Sequence, residues 1–236
     1  MQIGEPLGDG WGIYRRFWRH LLPIAFGTYL IVAAISLGLT VALGLFGAFL
    51  SGIVALVGVF LLQATLVEAV ADVRDGRADL NFGETLSRGW SRVGVATGAG
   101  ILAGLGILVG FVLVIVPGLY LLTFWCLIIP VVVLERTSVL DSFGRSRKLV
   151  SGHGWTVFGV LVAIAAIEVA ASIVLAIVLH GVSTNVRSFI SDVVVNTIVA
   201  PFIAATLTCM FFRLREHAEP AEAASVVPAG AAYRDT

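Results

Sequence analysis

An ionisable side chain inside an otherwise apolar stretch is the first place this sequence could do chemistry. Glu168, set in AIAAIEVAASIVLA, is the sharpest case. A charged side chain at the centre of a bilayer costs about 2.5–3.5 kcal/mol on insertion scales, so such a carboxyl is kept neutral, is paired, or faces a wet cavity. Asn196 lies at similar depth in a later apolar run, and Gln63 in an earlier run supplies a second amide. These three residues admit two readings. They build a proton-coupled polar site, or Glu168 serves structure by hydrogen bonding to a neighbouring helix. Hydrolytic and nucleotide motifs are absent: the sequence contains no HExxH, no GxSxG and no GxxxxGK[ST]. His20, His153, His180 and His217 are scattered, and Cys126 and Cys209 sit in apolar runs, where free cysteine behaves as a small hydrophobe. No catalytic residue, metal or cofactor is expected.

A second set of candidates is basic. Arg15, Arg16, Arg19, Arg88, Arg145 and Lys148 fall in three segments, LGDGWGIYRRFWRHLL, FGETLSRGWSRV and VLDSFGRSRKLVSGHGW, each of which leads into an apolar run. The segments share an apolar–x–acid–x–apolar core: Leu7/Asp9/Trp11, Phe82/Glu84/Leu86 and Val139/Asp141/Phe143. On a helix the first puts Trp11, Ile13, Tyr14, Phe17, Trp18 and Leu21 on one side and its arginines on the other. That is the pattern of a helix lying at a membrane interface. In the second and third, the acid precedes an arginine by four residues, a spacing that favours an ion pair. Glu135, at the end of the fourth apolar run, has Arg136 and Arg145 nearby and is expected to form a structural ion pair. The basic faces could meet anionic lipid headgroups, or they could simply be solvated and set orientation. The recurrence itself reads either as a threefold repeat or as the ordinary basic character of connections on one membrane side.

The elements that must position these residues follow from hydropathy. Of the 236 residues 58% are hydrophobic and only 13% charged, against roughly 25% charged in soluble domains. Net charge is zero, which gives no reason to expect a nucleic-acid partner. Apolar runs at 22–43, 45–70, 93–116, 118–134, 155–179 and 189–212 are each long enough for a membrane helix. The expected fold is therefore all-α and polytopic, with six transmembrane helices and amphipathic interfacial helices before the first, third and fifth. Pro117 and Gly118 are expected to separate the third run from the fourth, while Pro130 and Pro201 should kink the fourth and sixth. The third run carries Gly94/Gly98, Gly100/Gly104 and Gly106/Gly110, a spacing that lets helices approach closely in lipid. Arginine and lysine concentrate in the N-terminal segment, the second and fourth connections and the start of the tail, so the positive-inside rule places both termini in the cytoplasm.

The stretch FWCLIIPVVVLERTSVLDSFGRSRKLVSGHGWTVFG resembles the signature region of a bacterial membrane-domain family. That family is found fused to glycerophosphodiester phosphodiesterases and also as stand-alone integral membrane relatives of unknown role. The resembling residues are Pro130, Glu135, Ser142, Arg145, Ser146, Leu149, Val150, Gly152 and Trp155. The resemblance implies an architecture over 1–215 but no chemistry, because the phosphodiesterases carry theirs on a separate soluble barrel. Residues 216–236, rich in alanine, are expected to form a disordered cytoplasmic tail. The expected role is that of a non-catalytic scaffold or lipid-interacting module of the cytoplasmic membrane. The alternative is a small transporter or exporter built around Glu168.

Overall fold

The computed structural model describes residues 2–74, 79–180 and 184–218, with backbone alone for 184–192 and 194–196. The described residues form seven helices and no strand: α1 (Gly4–Val73), α2 (Phe82–Leu113), α3 (Ile115–Trp125), α4 (Ile128–Leu134), α5 (Val139–Val150), α6 (Gly154–Val178) and α7 (Thr184–Ala218). Five stretches are long and apolar enough to cross a membrane: α1, α2, α3 with α4, α6, and the Thr197–Ala218 part of α7. The chain is an all-α protein of multi-pass membrane type.

Helix α1 is not one rod. Seventy residues in a straight helix would reach about 105 Å, far beyond a hydrocarbon core of about 30 Å. Two breaks interrupt it, at Phe17 (φ −114°, ψ 19°) and at Gly44 (φ 57°, ψ −130°). The second needs a positive φ, which glycine adopts without steric cost. Beyond Gly44 the chain folds back on itself. Thr40 Oγ1 lies 3.2 Å from Ser51 Oγ, and a Cβ on Gly58 would meet the Val32 methyls. Farther along, Leu21, Ile24 and Ala25 share a core with Leu62, Leu66, Ala69 and Val70. The glycine-rich stretch that separates the first two apolar runs thus turns at its first glycine.

Other boundaries depart from the sequence reading. The second charged segment is no separate interfacial helix: Phe82–Leu113 is one continuous 32-residue helix. A capping box starts it, with Asn81 Oδ1 accepting from the Glu84 amide at 2.9 Å and Glu84 Oε2 from the Asn81 amide at 3.0 Å. No proline follows before its end at Val114, which is extended (φ −164°, ψ 150°). Pro117 comes after that break rather than causing it. It sits in the first turn of α3, where its missing N–H goes unneeded. Pro130 does interrupt the fourth run. Its ring would clash with the carbonyl four residues back, and the chain leaves the helix there, at Cys126–Leu127, before resuming as α4. Pro201 stays inside an unbroken α7. That helix also continues past Phe212 to Ala218, so residues 216–218 belong to it and not to a tail; residues 219–236 lie outside the described residues.

What holds the bundle together is a set of small-residue seams. In α2 the buried residues are Thr85, Gly89, Ala96, Ala99, Ala103 and Gly110, while Trp90 and most of the large aliphatic side chains look outward. This inverts the soluble pattern, because lipid tails are as apolar as leucine and association relies on close backbone approach. The glycine pairs of the third run divide accordingly. Gly100 faces the Phe60 ring and Gly106 the Trp125 ring, whereas Gly94 and Gly104 border open space.

The three charged segments share one mode of attachment. The residue after each acid is small and buried: Gly10, Thr85 and Ser142. Gly10 abuts Thr206 of α7, Gly89 abuts Thr65 of α1, and the Ser146 hydroxyl donates to the Phe124 carbonyl of α3 at 2.7 Å. Each segment therefore packs on the helix that closes the preceding hairpin, and the first packs on the last. The receiving helices repeat a detail as well. Thr65, Thr123 and Thr206 are all buried, and each hydroxyl donates to the carbonyl four residues back (2.7, 2.7 and 3.0 Å). Ser146→Ala would orphan the Phe124 carbonyl at the Pro130 break. The expected loss is about 1 kcal/mol, read as a lower unfolding midpoint in mixed micelles with helix content unchanged; an unchanged midpoint would show that the hydrogen bond contributes nothing net.

Candidate functional site: the charged end of the bundle

The charged residues that flank the apolar helices meet at one end. Arg145 of α5 binds Glu135, the residue closing α4, through two hydrogen bonds, Nε to Oε2 at 2.6 Å and a terminal nitrogen to Oε1 at 2.7 Å. Their side chains are only 18% and 13% exposed. This two-pronged geometry is the strong form of an arginine–carboxylate pair. Arg215 of α7 approaches the same carboxylate, its Nε 3.9 Å from Oε1. Arg213 grips the N-terminal segment, with Nε 2.6 Å from Asp9 Oδ2 and Nη1 2.9 Å from Glu5 Oε2. Arg74, at the end of α1, pairs with Glu216 at 2.7 Å and lies 3.9 Å over the Phe212 ring. The His153 and His217 rings are edge to face at 5.6 Å. One layer of polar contacts thus ties α1, α4, α5 and α7 to the start of the chain.

The acids of the second and third segments do different work from the four-residue ion pairs that their spacing favours. Glu84 completes the α2 capping box. Asp141 occupies the same position in α5, where the Ser138 hydroxyl donates to its Oδ2 at 2.6 Å and accepts from its amide at 3.3 Å. Asp9 has no such cap to make and pairs with Arg213 instead. The second and third copies therefore share a helix-starting role, and the first departs from it.

Among the expected lipid contacts, Arg145 is committed to Glu135, while Arg15, Arg16, Arg19, Arg88 and Lys148 are exposed. Exposed tryptophans accompany them: Trp11 at 54%, Trp18 at 49%, Trp90 at 63% and Trp155 at 87%. Only Trp125 among the five turns inward, edge to face with Phe143 at 4.9 Å. A cleft of about 710 Å³ opens at this end between the N-terminal segment, the end of α1 and the end of α7. Its walls combine Asp9, Arg16, Arg74, Arg213 and Glu216 with the Phe17 and Phe212 rings.

The intramembrane candidates are not gathered into one site. Glu168 is exposed and lines a shallow depression made only of its own helix, with Val169, Ser172, Ile173 and Ala176. Gln63 is also exposed, on α1. The Asn196 side chain lies outside the described residues. Among the described residues no group of three or more histidine, cysteine, aspartate or glutamate side chains is placed to hold a metal ion.

Sequence reasoning missed the pairing of Glu5 and Asp9 with Arg213, which ties the N-terminal segment to α7, and the pair of Arg74 with Glu216. In the first segment Ile13, Phe17 and Leu21, read from the sequence as part of a face turned to the membrane interface, instead join Pro6, Gly10 and Ile24 in an inward seam spaced three and four apart: Pro6, Gly10, Leu21 and Ile24 are buried and Ile13 and Phe17 half-buried. No family model, no curated protein and no solved structure matches this chain.

Proposed function

We propose that this chain is a six-span protein of the cytoplasmic membrane, with its charged end and both termini in the cytoplasm. In this reading it acts without catalysis, as a scaffold or module that engages the headgroups of anionic lipids. The observation that carries it is the pairing of exposed basic residues with exposed tryptophans at one end of the bundle. Tryptophan settles at the headgroup level, and arginine and lysine concentrate on the cytoplasmic side of membrane proteins. The fold-back at Gly44 supports counting α1 as two spans, which makes the number even and puts both termini on one side.

The relation to the membrane domain of the glycerophosphodiester phosphodiesterase proteins belongs to the same proposal. In its support, the residues that carry the resemblance form one local unit. Pro130 interrupts the helix, Ser146 caps the carbonyl of Phe124 just before that break, Glu135 holds Arg145, and Leu149 and Val150 enter the core. Transport through Glu168 has less support, because the depression beside that carboxyl is shallow and belongs to a single helix.

Lipid titration of the purified protein by native mass spectrometry tests the reading. Each basic residue near an anionic surface contributes about 1 kcal/mol. Replacing Arg15, Arg16 and Arg19 together by glutamine is therefore expected to weaken retention of phosphatidylglycerol by about tenfold or more, while phosphatidylcholine is little affected. Equal retention of the two lipids by the unaltered protein would sink the headgroup role.

A further inference from the structure

The outer stretch of α6 is among the least enclosed parts of the described bundle. Buried residues in this helix are confined to Val157, Val160 and Ile164, near its charged end, and from Ala165 to Val178 none is buried. That stretch is 14 residues, about 20 Å at 1.5 Å per residue. Glu168 lies in it, some 21 Å along the helix from Gly154 by the same measure, which places a carboxyl well inside the hydrocarbon. No hydrogen-bond or ion-pair partner for it is found among the described residues. Leaving such a group against lipid tails is costly, and ionisable residues at this depth are nearly always turned toward protein or water.

The surroundings specify what would satisfy it. Glu168, Ser172 and Ala176 follow one another at four-residue intervals, on a single exposed face of the helix. The face offers a carboxyl, a hydroxyl and a position with almost no side chain. In its acid form a carboxyl both donates and accepts a hydrogen bond, as does a serine hydroxyl. Such a face is complementary to itself. Two copies related by a twofold axis would let each Glu168 bond to the Ser172 or Glu168 of the other, and the small residue would let the backbones approach. Nothing basic lies anywhere in α6, so a twofold arrangement brings no unmatched positive charge into the contact. We propose that the outer half of α6 is a homodimer interface, with Glu168 and Ser172 as its hydrogen-bonding centre. This goes beyond the lipid role and does not depend on it.

Cross-linking in native membranes tests the pairing, in a background where Cys126 and Cys209 are replaced by alanine. Ala176→Cys is expected to give an oxidised dimer of twice the monomer mass. Ile177→Cys, about 100° round the helix from it, should give less. Adding Glu168→Leu should weaken self-association about tenfold, whereas Glu168→Gln, which keeps a donor and an acceptor, should largely preserve it. Because the residue is exposed, both variants should retain helix content and thermal midpoint, which separates lost pairing from lost folding. Equal cross-linking at 176 and 177, an unchanged dimer in Glu168→Leu, or an Ala176→Cys adduct of another mass would each overturn the proposal. The last would assign the face to a different membrane protein.

Discussion

Replacing Glu135 by alanine is expected to lower stability by about 2–3 kcal/mol, the largest effect of any single change at the charged end. The carboxylate holds Arg145 through two short hydrogen bonds in a partly enclosed site and lies near Arg215. Removing it leaves a guanidinium poorly solvated and without its principal acceptor, and breaking an enclosed pair from one side costs several kcal/mol. The low end of that range applies here, because the two side chains keep 13–18% of their surface exposed. A matched apolar double variant, Glu135→Leu with Arg145→Leu, should recover part of the loss, since the desolvation penalty then vanishes from both sides. Unfolding in mixed micelles reads the difference. Single variants within about 0.5 kcal/mol of the wild type would place this pair with ordinary surface ion pairs.

Opposite signs are expected from alanine at different glycines. A Cβ on Gly10 would lie 2.8 Å from the Cα of Thr206, and one on Gly89 would lie 2.9 Å from the Cα of Thr65. Both collisions are with backbone, which cannot rotate away. Gly10→Ala and Gly89→Ala should therefore each destabilise by about 1–3 kcal/mol, as overfilled contacts do. At Gly94 nothing lies within 4 Å. There alanine only restricts the unfolded chain and improves helix propensity, so Gly94→Ala should stabilise by about 0.5–1 kcal/mol. Destabilisation at Gly94 equal to that at Gly89 would mean that the seam does not run where the structure has it.

The sequence made the apolar elements plain and their internal joints less so. Runs of about twenty apolar residues announce helices, because a bilayer leaves the backbone no other partner. The turn at Gly44 was expected to within a few residues because glycine alone suits its positive φ. Pro117 misled, since a proline in a first turn marks the helix it begins and not the break before it. The continuity of α2 was hidden by a compositional change at Val93 that alters what surrounds the helix but not its backbone. In the charged segments the large aromatic residues drew attention, whereas the buried seam runs through Gly10, Thr85, Gly89, Ser142 and Ser146. Pattern rules learned from water-soluble cores favour large apolar residues, and packing in lipid favours small ones. For Arg145 the sequence offered both a headgroup contact and a structural ion pair with Glu135 at the end of the preceding apolar run, and the structure has the pair. Contacts such as Arg213 with Asp9 and Glu5, more than two hundred residues apart, have no local signal at all.

Side-specific thiol labelling of single cysteines tests the topology most directly, in a background lacking Cys126 and Cys209. Leu45→Cys at the Gly44 turn and His180→Cys beyond α6 should react with a membrane-impermeant maleimide added to intact cells. Ser87→Cys near the start of α2 and Lys148→Cys in α5 should react only after the membrane is opened. Labelling of position 45 from the same side as positions 87 and 148 would contradict both the hairpin in α1 and the single charged face on which the functional reading rests.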